Sequence, residues 1–244
     1  MTTKRTAWAI LPLALCLALW WILSFLNHAR VIPTPPETAR ALLEILRQSD
    51  SWMTLLATLL RGVLGLAAGG ALAIATGIYC GRHPRLHDAV TPVITLVQSC
   101  PPIVWISLLL VWLSIGGTVP LVVVFLSVFP VLFVNTATAT RSLDPRWFEL
   151  ARVYRFSPWR RLRGIILPGI SQGLAAGFSY ALGITWKVTA TAEFFGAQDG
   201  IGAKIYSCYR EMALPQLFAW TLLIALIGVV IEALLIKRFR SLSR

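Results

Sequence analysis

RSLDPRWFELARVYRFSPWRRLRGIILP, residues 141–168, is the only long polar interruption in the second half of an otherwise apolar chain. It holds seven arginines, at 141, 146, 152, 155, 160, 161 and 163, against Asp144 and Glu149. Two helix starts can be read in it. Asp144-Pro145 and Ser157-Pro158 each place a capping oxygen before a proline, and proline suits the first helical position because the N–H it lacks would have no partner there. Two short helices are predicted, one from about Pro145 to Tyr154 and one from Pro158 into the apolar run that begins at Gly164. Arg155-Phe156-Ser157 would protrude at the turn. A basic helix-turn-helix set between apolar segments is a docking surface.

The segments around it are apolar enough to cross a membrane. Of 244 residues, 57% are apolar and 13% charged, where a soluble domain carries about a quarter charged. Residues 6–27, 62–81, 89–140, 164–186 and 212–231 contain no Asp, Glu, Lys or Arg. A helix needs roughly 20 such residues to span the hydrocarbon core. The run 89–140 is long enough for two spans, with Gly116-Gly117 as the turn. Barrel strands would alternate apolar and polar residues, and these runs do not. The fold class is therefore an all-α integral membrane protein. Six transmembrane helices are predicted, at about 7–26, 56–81, 90–115, 119–140, 164–187 and 217–236, with the arginine stretch as the loop 141–163. Residues 1–50 read as a membrane-anchor helix and an external amphipathic segment, with Ala41, Leu42, Ile45 and Leu46 on one face. Residues 51–244 read as the core. The first uncharged run is long for a signal peptide and no small-x-small site follows it, so it is expected to be retained.

Net charge is +12, and its distribution sets orientation. With the N-terminus inside, Lys4, Arg5, Arg82, Arg85, the seven loop arginines, Lys237, Arg238, Arg240 and Arg244 all fall in the cytoplasm, 15 of the 22 basic residues. That is the positive-inside bias. It puts both termini in the cytoplasm and makes nucleic acid an unneeded explanation, since no nucleic-acid fold motif accompanies the charge. The four cysteines are scattered without a CxxC, so neither a zinc site nor a disulfide framework is indicated. His83 and His87 are four apart, but Pro84 disfavours a helix between them.

Candidate pathway residues follow from what lipid does not tolerate. Pro101-Pro102, preceded by Gln98 and Ser99, must kink the third span and free backbone carbonyls. Such backbone belongs against protein or a water-filled cavity, so Gln98, Ser99 and Pro101 are candidate pathway residues. A kink needed only for packing is the alternative. Asn135 on the fourth span, and Lys187 and Glu193 at the end of the fifth, are polar groups at or near membrane depth and join that set. Lys187 and Glu193 could also sit at the outer interface as anchors. Gly65, Gly69, Ala73, Gly77 and Gly81 form one strip of small residues, and Gly169, Gly173 and Gly177 form a second. Such strips let helices approach closely, here either against each other or across a dimer.

Several motifs together resemble a known family. Glu149-Leu150-Ala151, the turn at Arg155-Phe156-Ser157 and Ile165-Ile166-Leu167-Pro168 resemble the EAA loop of bacterial ABC-importer permeases. FPVLFVNTATATRSLDP (129–145), QSCPPIVWISLLLVWLSIGG (98–117) and AEFFGAQDGIGAKI (192–205) resemble the branch serving nitrate, sulfonate and taurine. The resemblance covers roughly residues 30–240. It implies a type I importer fold in the bacterial inner membrane, a second permease copy, a cytoplasmic ABC ATPase dimer, and a periplasmic or lipid-anchored binding protein. It implies that Glu149, Ala151, Tyr154, Arg155, Phe156, Ser157 and Arg160 form the ATPase-coupling surface. ATP and Mg would sit on the partner, and this chain, which has no GxxxxGK[ST], would bind no cofactor itself. The pattern departs at Arg155, where the family usually has glycine, and at Phe156, often alanine. Arginine adopts φ > 0 at a cost, so either the turn differs here or the partner accommodates a bulky cation.

Three other readings compete. A transporter or channel working alone would show a repeated half with matching broken helices, and only one broken helix can be read. A membrane enzyme would need clustered nucleophiles, bases or metal ligands, which the spans lack. A structural subunit with some other partner for the loop is the third.

Overall fold

The computed structural model describes residues 2–26 and 31–242, and all regular structure among them is helical. In chain order the helices are α1 (Thr2–Leu26), α2 (Pro35–Arg47), α3 (Ser49–Gly81), α4 (Pro84–Ser99), α5 (Pro102–Leu113), α6 (Thr118–Arg141), α7 (Pro145–Val153), α8 (Pro158–Arg161), α9 (Leu167–Gly196), α10 (Ile201–Arg210) and α11 (Leu214–Leu242). A π-helical turn, Leu162–Ile166, joins α8 to α9 without a loop.

Helix α6 lies at the centre, because both small-residue strips pack onto it and not onto each other. A Cβ built at Gly65 would lie 2.8 Å from Val124 and 2.9 Å from the Leu121 carbonyl, and one at Gly81 would lie 2.8 Å from the Ala137 carbonyl. On the other side, Cβ atoms at Gly173 and Gly177 would meet Ala139 at 2.7 Å and Asn135 at 3.0 Å. Between the two flanks α6 buries Val124, Val128, Leu132, Phe133 and Ala137. Valine-rich sequence has no strong helical preference of its own. The packing on both sides fixes it as helix.

Helices α3, α6 and α11 are each long and apolar enough to cross a membrane, as is the continuous Pro158–Gly196. The third expected span is not one kinked helix. Its halves, α4 and α5, are bent by 92° at Cys100-Pro101. Proline pushes the residue before it toward extended backbone. Cys100 is extended at φ −80°, ψ 121°, and Pro102 restarts the helix at its first turn. At 1.5 Å per residue the two pieces are roughly 24 and 18 Å long, each short of a ~30 Å core. The first expected span falls on α1, whose fully described apolar part is Ala14–Leu26. The fifth runs further than its uncharged stretch, with Lys187 and Glu193 inside α9 rather than after it.

The N-terminal fifty residues are fastened to the rest. Trp20 Nε1 donates to the Pro33 carbonyl at 3.0 Å, Ser24 Oγ donates to Ile32 at 2.9 Å, and Trp20 stacks on Phe218 of α11. Helix α2 opens with a reciprocal cap: Thr34 N–H donates to the Glu37 carboxylate at 2.8 Å, and that bond holds the Glu37 pKa below its ordinary value. It buries Ala41 and Ile45 against Ile201, Ala219 and Trp220, while Leu46 of the expected apolar face stays partly exposed.

The α3–α6 seam makes a direct prediction. Gly65→Leu must displace α6 backbone, an overpacking cost of about 1–3 kcal/mol or more, and should lower the thermal unfolding midpoint in detergent. Ala67→Leu, on the exposed face of the same helix, should leave it unchanged.

Candidate functional site

The loop 141–163 folds by its own local chemistry. The Asp144 carboxylate accepts from Arg146 N–H at 2.9 Å and starts α7, and Ser157 Oγ accepts from Arg160 N–H at 3.3 Å and starts α8. Helix α7 ends in a closed turn. Phe156 N–H donates to the Ala151 carbonyl at 2.8 Å and Arg155 N–H donates to the Arg152 carbonyl at 3.0 Å. These are the two bonds of a Schellman C-cap, whose C′ residue sits in the left-handed region. That residue is Arg155, at φ +51°. The turn is thus kept in the glycine-type geometry despite arginine, at a conformational cost of about 1–2 kcal/mol. Arg161 Nε donates to the Phe156 carbonyl at 3.1 Å and locks α8 against the turn.

The resulting unit turns some residues inward and others out. Ala151 is 1% exposed. Phe148 lies under the Arg82 guanidinium at 5.1 Å, joining α7 to the end of α3. Trp147, Tyr154 and Trp159 are 55%, 68% and 60% exposed. Glu149 is exposed and, among the described residues, makes no ion pair. Tyr154 and Phe156 rings lie 6.4 Å apart beside the exposed Arg155, and Arg160 is exposed as well. Close by, Arg141 Nη1 donates to His87 Nδ1 at 2.8 Å and approaches Asp88 at 3.7 Å. That nitrogen is therefore engaged by a cation, and no cluster of three metal-ligating residues occurs among the described residues.

At the opposite end of the bundle lies a buried ionic clasp. Glu193 is fully buried. Its carboxylate accepts from Arg61 Nη1 at 2.9 Å, Thr58 Oγ1 at 2.8 Å and the Gly202 amide at 3.1 Å. Arg61 Nη1 also donates to the Asp199 carbonyl at 2.8 Å, and Nη2 pairs with the Asp199 carboxylate. Thr58 Oγ1 accepts in turn from Ile201 N–H at 2.8 Å. The clasp joins α3, the end of α9 and the start of α10. Gly200 makes room for it: its φ is +99°, and a Cβ there would lie 2.3 Å from the Glu193 carboxylate.

The candidate pathway residues are spread over four environments. Gln98 lines a cavity of about 230 Å³ at the α4–α5 break, with Cys100, Ser127 and Tyr180. Ser99 and Pro101 are exposed beside it but do not line it, and Ser99 Oγ donates to the Thr95 carbonyl at 2.8 Å. Asn135 sits in the α6–α9 seam and donates to its own helix at Val131, 2.8 Å away. Lys187 lines a separate cavity of about 370 Å³ between α9 and α11. Glu193 belongs to the clasp and lines neither cavity.

A family model described as binding-protein-dependent transport system inner membrane component matches residues 73–239. The chain belongs to this family. A putative aliphatic sulfonates transport permease protein of Bacillus subtilis is 25% identical over 94% of the chain and 85% of its own length. The taurine transport system permease protein of Escherichia coli is 26% identical over 94% and 86%. The fold matches that of a bacterial ABC transporter involved in the import of the acidic polysaccharide alginate, with a TM-score of 0.70, 16% identity and 98% of each chain covered. The chain is thus a permease subunit of an importer and not an enzyme, and the ATPase of such importers is a separate subunit.

The clasp in this permease joins residues that sequence reading leaves apart. Arg61 reads as a snorkelling or paired cation, and Thr58 carries no signal at all. The AEFFGAQDGIGAKI stretch holds Glu193, Asp199 and two glycines of the clasp, but its partners lie 132 and 135 residues away.

Two predictions follow from these geometries. Arg61→Met leaves Glu193 buried without its counter-charge, a loss of about 3–5 kcal/mol, read as a lower unfolding midpoint. Adding Glu193→Gln to it should recover part of that loss. At the other end, Arg155→Gly relieves the left-handed strain, offset in part by the greater freedom of unfolded glycine. Hydrogen exchange at the Phe156 amide should slow about fivefold, the equivalent of about 1 kcal/mol.

Proposed function

We propose that this permease forms half of the translocation pathway for a small anionic or polar solute, and that α7–α8 seats in a cleft on a cytoplasmic ABC ATPase. The observation that carries the docking role is the α7–α8 surface itself. It exposes three large aromatics, and a carboxylate with no ion pair among the described residues, at one end of the bundle, on a turn closed by the two bonds of its cap. Exposed apolar clusters of this kind mark interaction sites. Glu149 makes a charge-assisted bond to a basic residue of the ATPase. Ala151 allows close approach, Tyr154, Arg155 and Phe156 fill the cleft, and Ser157 and Arg160 hold the start of α8.

The rest of the assembly follows from this docking. ATP and Mg bind on the ATPase dimer, whose closure moves α7–α8, and α9 moves with them because no loop intervenes. The cavity at Gln98 lies between α4–α5, α6 and α9, where such motion changes its shape. A second copy of the chain supplies the other half of the pathway. A periplasmic or lipid-anchored binding protein delivers the solute at the clasp end, and both termini face the cytoplasm. The sulfonate and taurine relatives point to a solute carrying an acidic oxygen group.

Removing a hydrogen bond to a charged group costs about 1.5–3 kcal/mol, so Glu149→Ala should weaken ATPase association by roughly ten- to a hundredfold. Co-purification and uptake both read this. A photo-crosslinker at Phe156 should join the permease to the ATPase subunit. Unchanged association and uptake in Glu149→Ala, with no crosslink, would overturn the docking assignment.

A further inference from the structure

The continuous helix Pro158–Gly196 enters the membrane almost at once. Arg163 is the last charged residue before the uncharged run 164–186, and Glu193 lies thirty residues further along the same helix. At 1.5 Å per residue that separation is about 45 Å, the thickness of a bilayer with its headgroups. With the clasp at one surface, Arg163 stands at the headgroup level of the other.

One exposed face of this helix changes along its length as a bilayer does. Leu167 and Pro168 are apolar and exposed. Four residues before Leu167 comes Arg163, exposed, and four before that Trp159, 60% exposed. Side chains lean toward the N-terminus of their helix, which here carries the Arg163 guanidinium away from the hydrocarbon. It comes to rest over the Trp159 ring, 4.8 Å from the centroid. A cation that snorkels out of the apolar zone onto an indole is the side-chain geometry of a membrane interface. Arg160, also exposed, stands three residues before Arg163 on the same side of the helix.

Both groups keep their donors. Among the described residues Arg163 makes no ion pair or side-chain hydrogen bond, and the Trp159 indole N–H has no acceptor. A guanidinium carries its five N–H groups in its own plane, so the ring beneath it uses none of them. The missing partner must bring negative charge and acceptor oxygens, and it must reach a face whose next residues are apolar. An acidic side chain of a soluble subunit meets the first need and not the second. A phospholipid meets both, with its phosphate at Arg163 and its acyl chain along Leu167 and Pro168. We propose that Arg163 and Trp159 form a binding site for the headgroup of an anionic phospholipid. The guanidinium takes two phosphate oxygens, the indole N–H takes a third oxygen, and Arg160 adds the second positive charge that favours an anionic lipid over a zwitterionic one. The site goes beyond the docking role and does not depend on it, since the turn at Tyr154–Phe156 stays with the partner. A headgroup bound there fixes how deep the start of α9 sits beside that turn.

The test takes the full-length permease in detergent, adds an equimolar mixture of phosphatidylglycerol and phosphatidylcholine, and counts retained lipid by native mass spectrometry. Wild type should keep about one phosphatidylglycerol per chain in preference to phosphatidylcholine. Arg163→Gln should lower that retention about fivefold, the contribution of one arginine near an anionic surface. Arg163→Lys should fall between the two, because an ammonium cannot bind bidentately. Trp159→Leu should lower retention about two- to threefold. Arg152→Gln, which removes an exposed arginine from α7, should leave it unchanged. Equal unfolding midpoints in lipid-free detergent show that each variant is folded. Wild-type retention in Arg163→Gln overturns the proposal. Equal losses in Arg152→Gln and Arg163→Gln assign retention to net charge alone and overturn it too. So does an Arg163→Gln variant that keeps its lipid and loses ATPase co-purification, since the arginine would then serve the partner subunit.

Discussion

The close approach of α3 and α9 to α6 is the constraint from which the rest of the structure hangs. In lipid, apolar side chains gain little by leaving the bilayer, so helices associate through contact area and short-range dispersion. Both fall steeply with distance. The α3 strip brings its helix against the backbone carbonyls of α6, the α9 strip brings its own helix against the short side chains of Asn135 and Ala139, and the β-branched and aromatic side chains of α6 fill what space remains. A three-helix slab results, stiff across its seams, against which the looser helices α4, α5 and α11 are arranged.

The two ends of that slab are finished in opposite ways. At the clasp end, charge is taken inside. Glu193, Arg61 and Asp199 form a network in which every acceptor of the buried carboxylate is engaged, the condition under which buried charge is tolerated. At the α7–α8 end, charge and aromatic surface are left outside. The first arrangement fixes helix ends to each other, and the second holds surface ready for a partner.

How much of this could be read from the chain alone depends on whether the deciding interaction is local. The α7–α8 unit was legible because Asp144-Pro145 and Ser157-Pro158 act within three residues of themselves. The spans were legible because lipid excludes charge. Where the partner is distant, reading failed. The fifth span reads as ending near Lys187 because its uncharged run ends there; Arg61 makes Glu193 admissible inside the bundle, and the helix continues to Gly196. The Pro101-Pro102 pair announces that the hydrogen-bond ladder breaks, but the 92° angle depends on what α4 and α5 pack against. Arg155 is the converse case. Its own preference argues for an altered turn, yet the two backbone bonds of the cap and the Arg161 bond outweigh it.

The π-helical turn at Leu162–Ile166 makes α8 and α9 a single rod from Pro158 to Gly196, 39 residues long, or about 58 Å at 1.5 Å per residue. Its ends carry the two differently finished surfaces. Such a rod is a lever whose fulcrum is the seam with α6. Tilted rigidly by about 5° around its middle, it displaces each tip by about 2.5 Å, in opposite directions. Hydrogen bonds tolerate only a few tenths of an ångström of stretch before they weaken. A tip displacement of that size exceeds the tolerance of the Arg61–Glu193 hydrogen bond, so the clasp at one tip and the α6 seam at the middle together hold the rod at a single tilt.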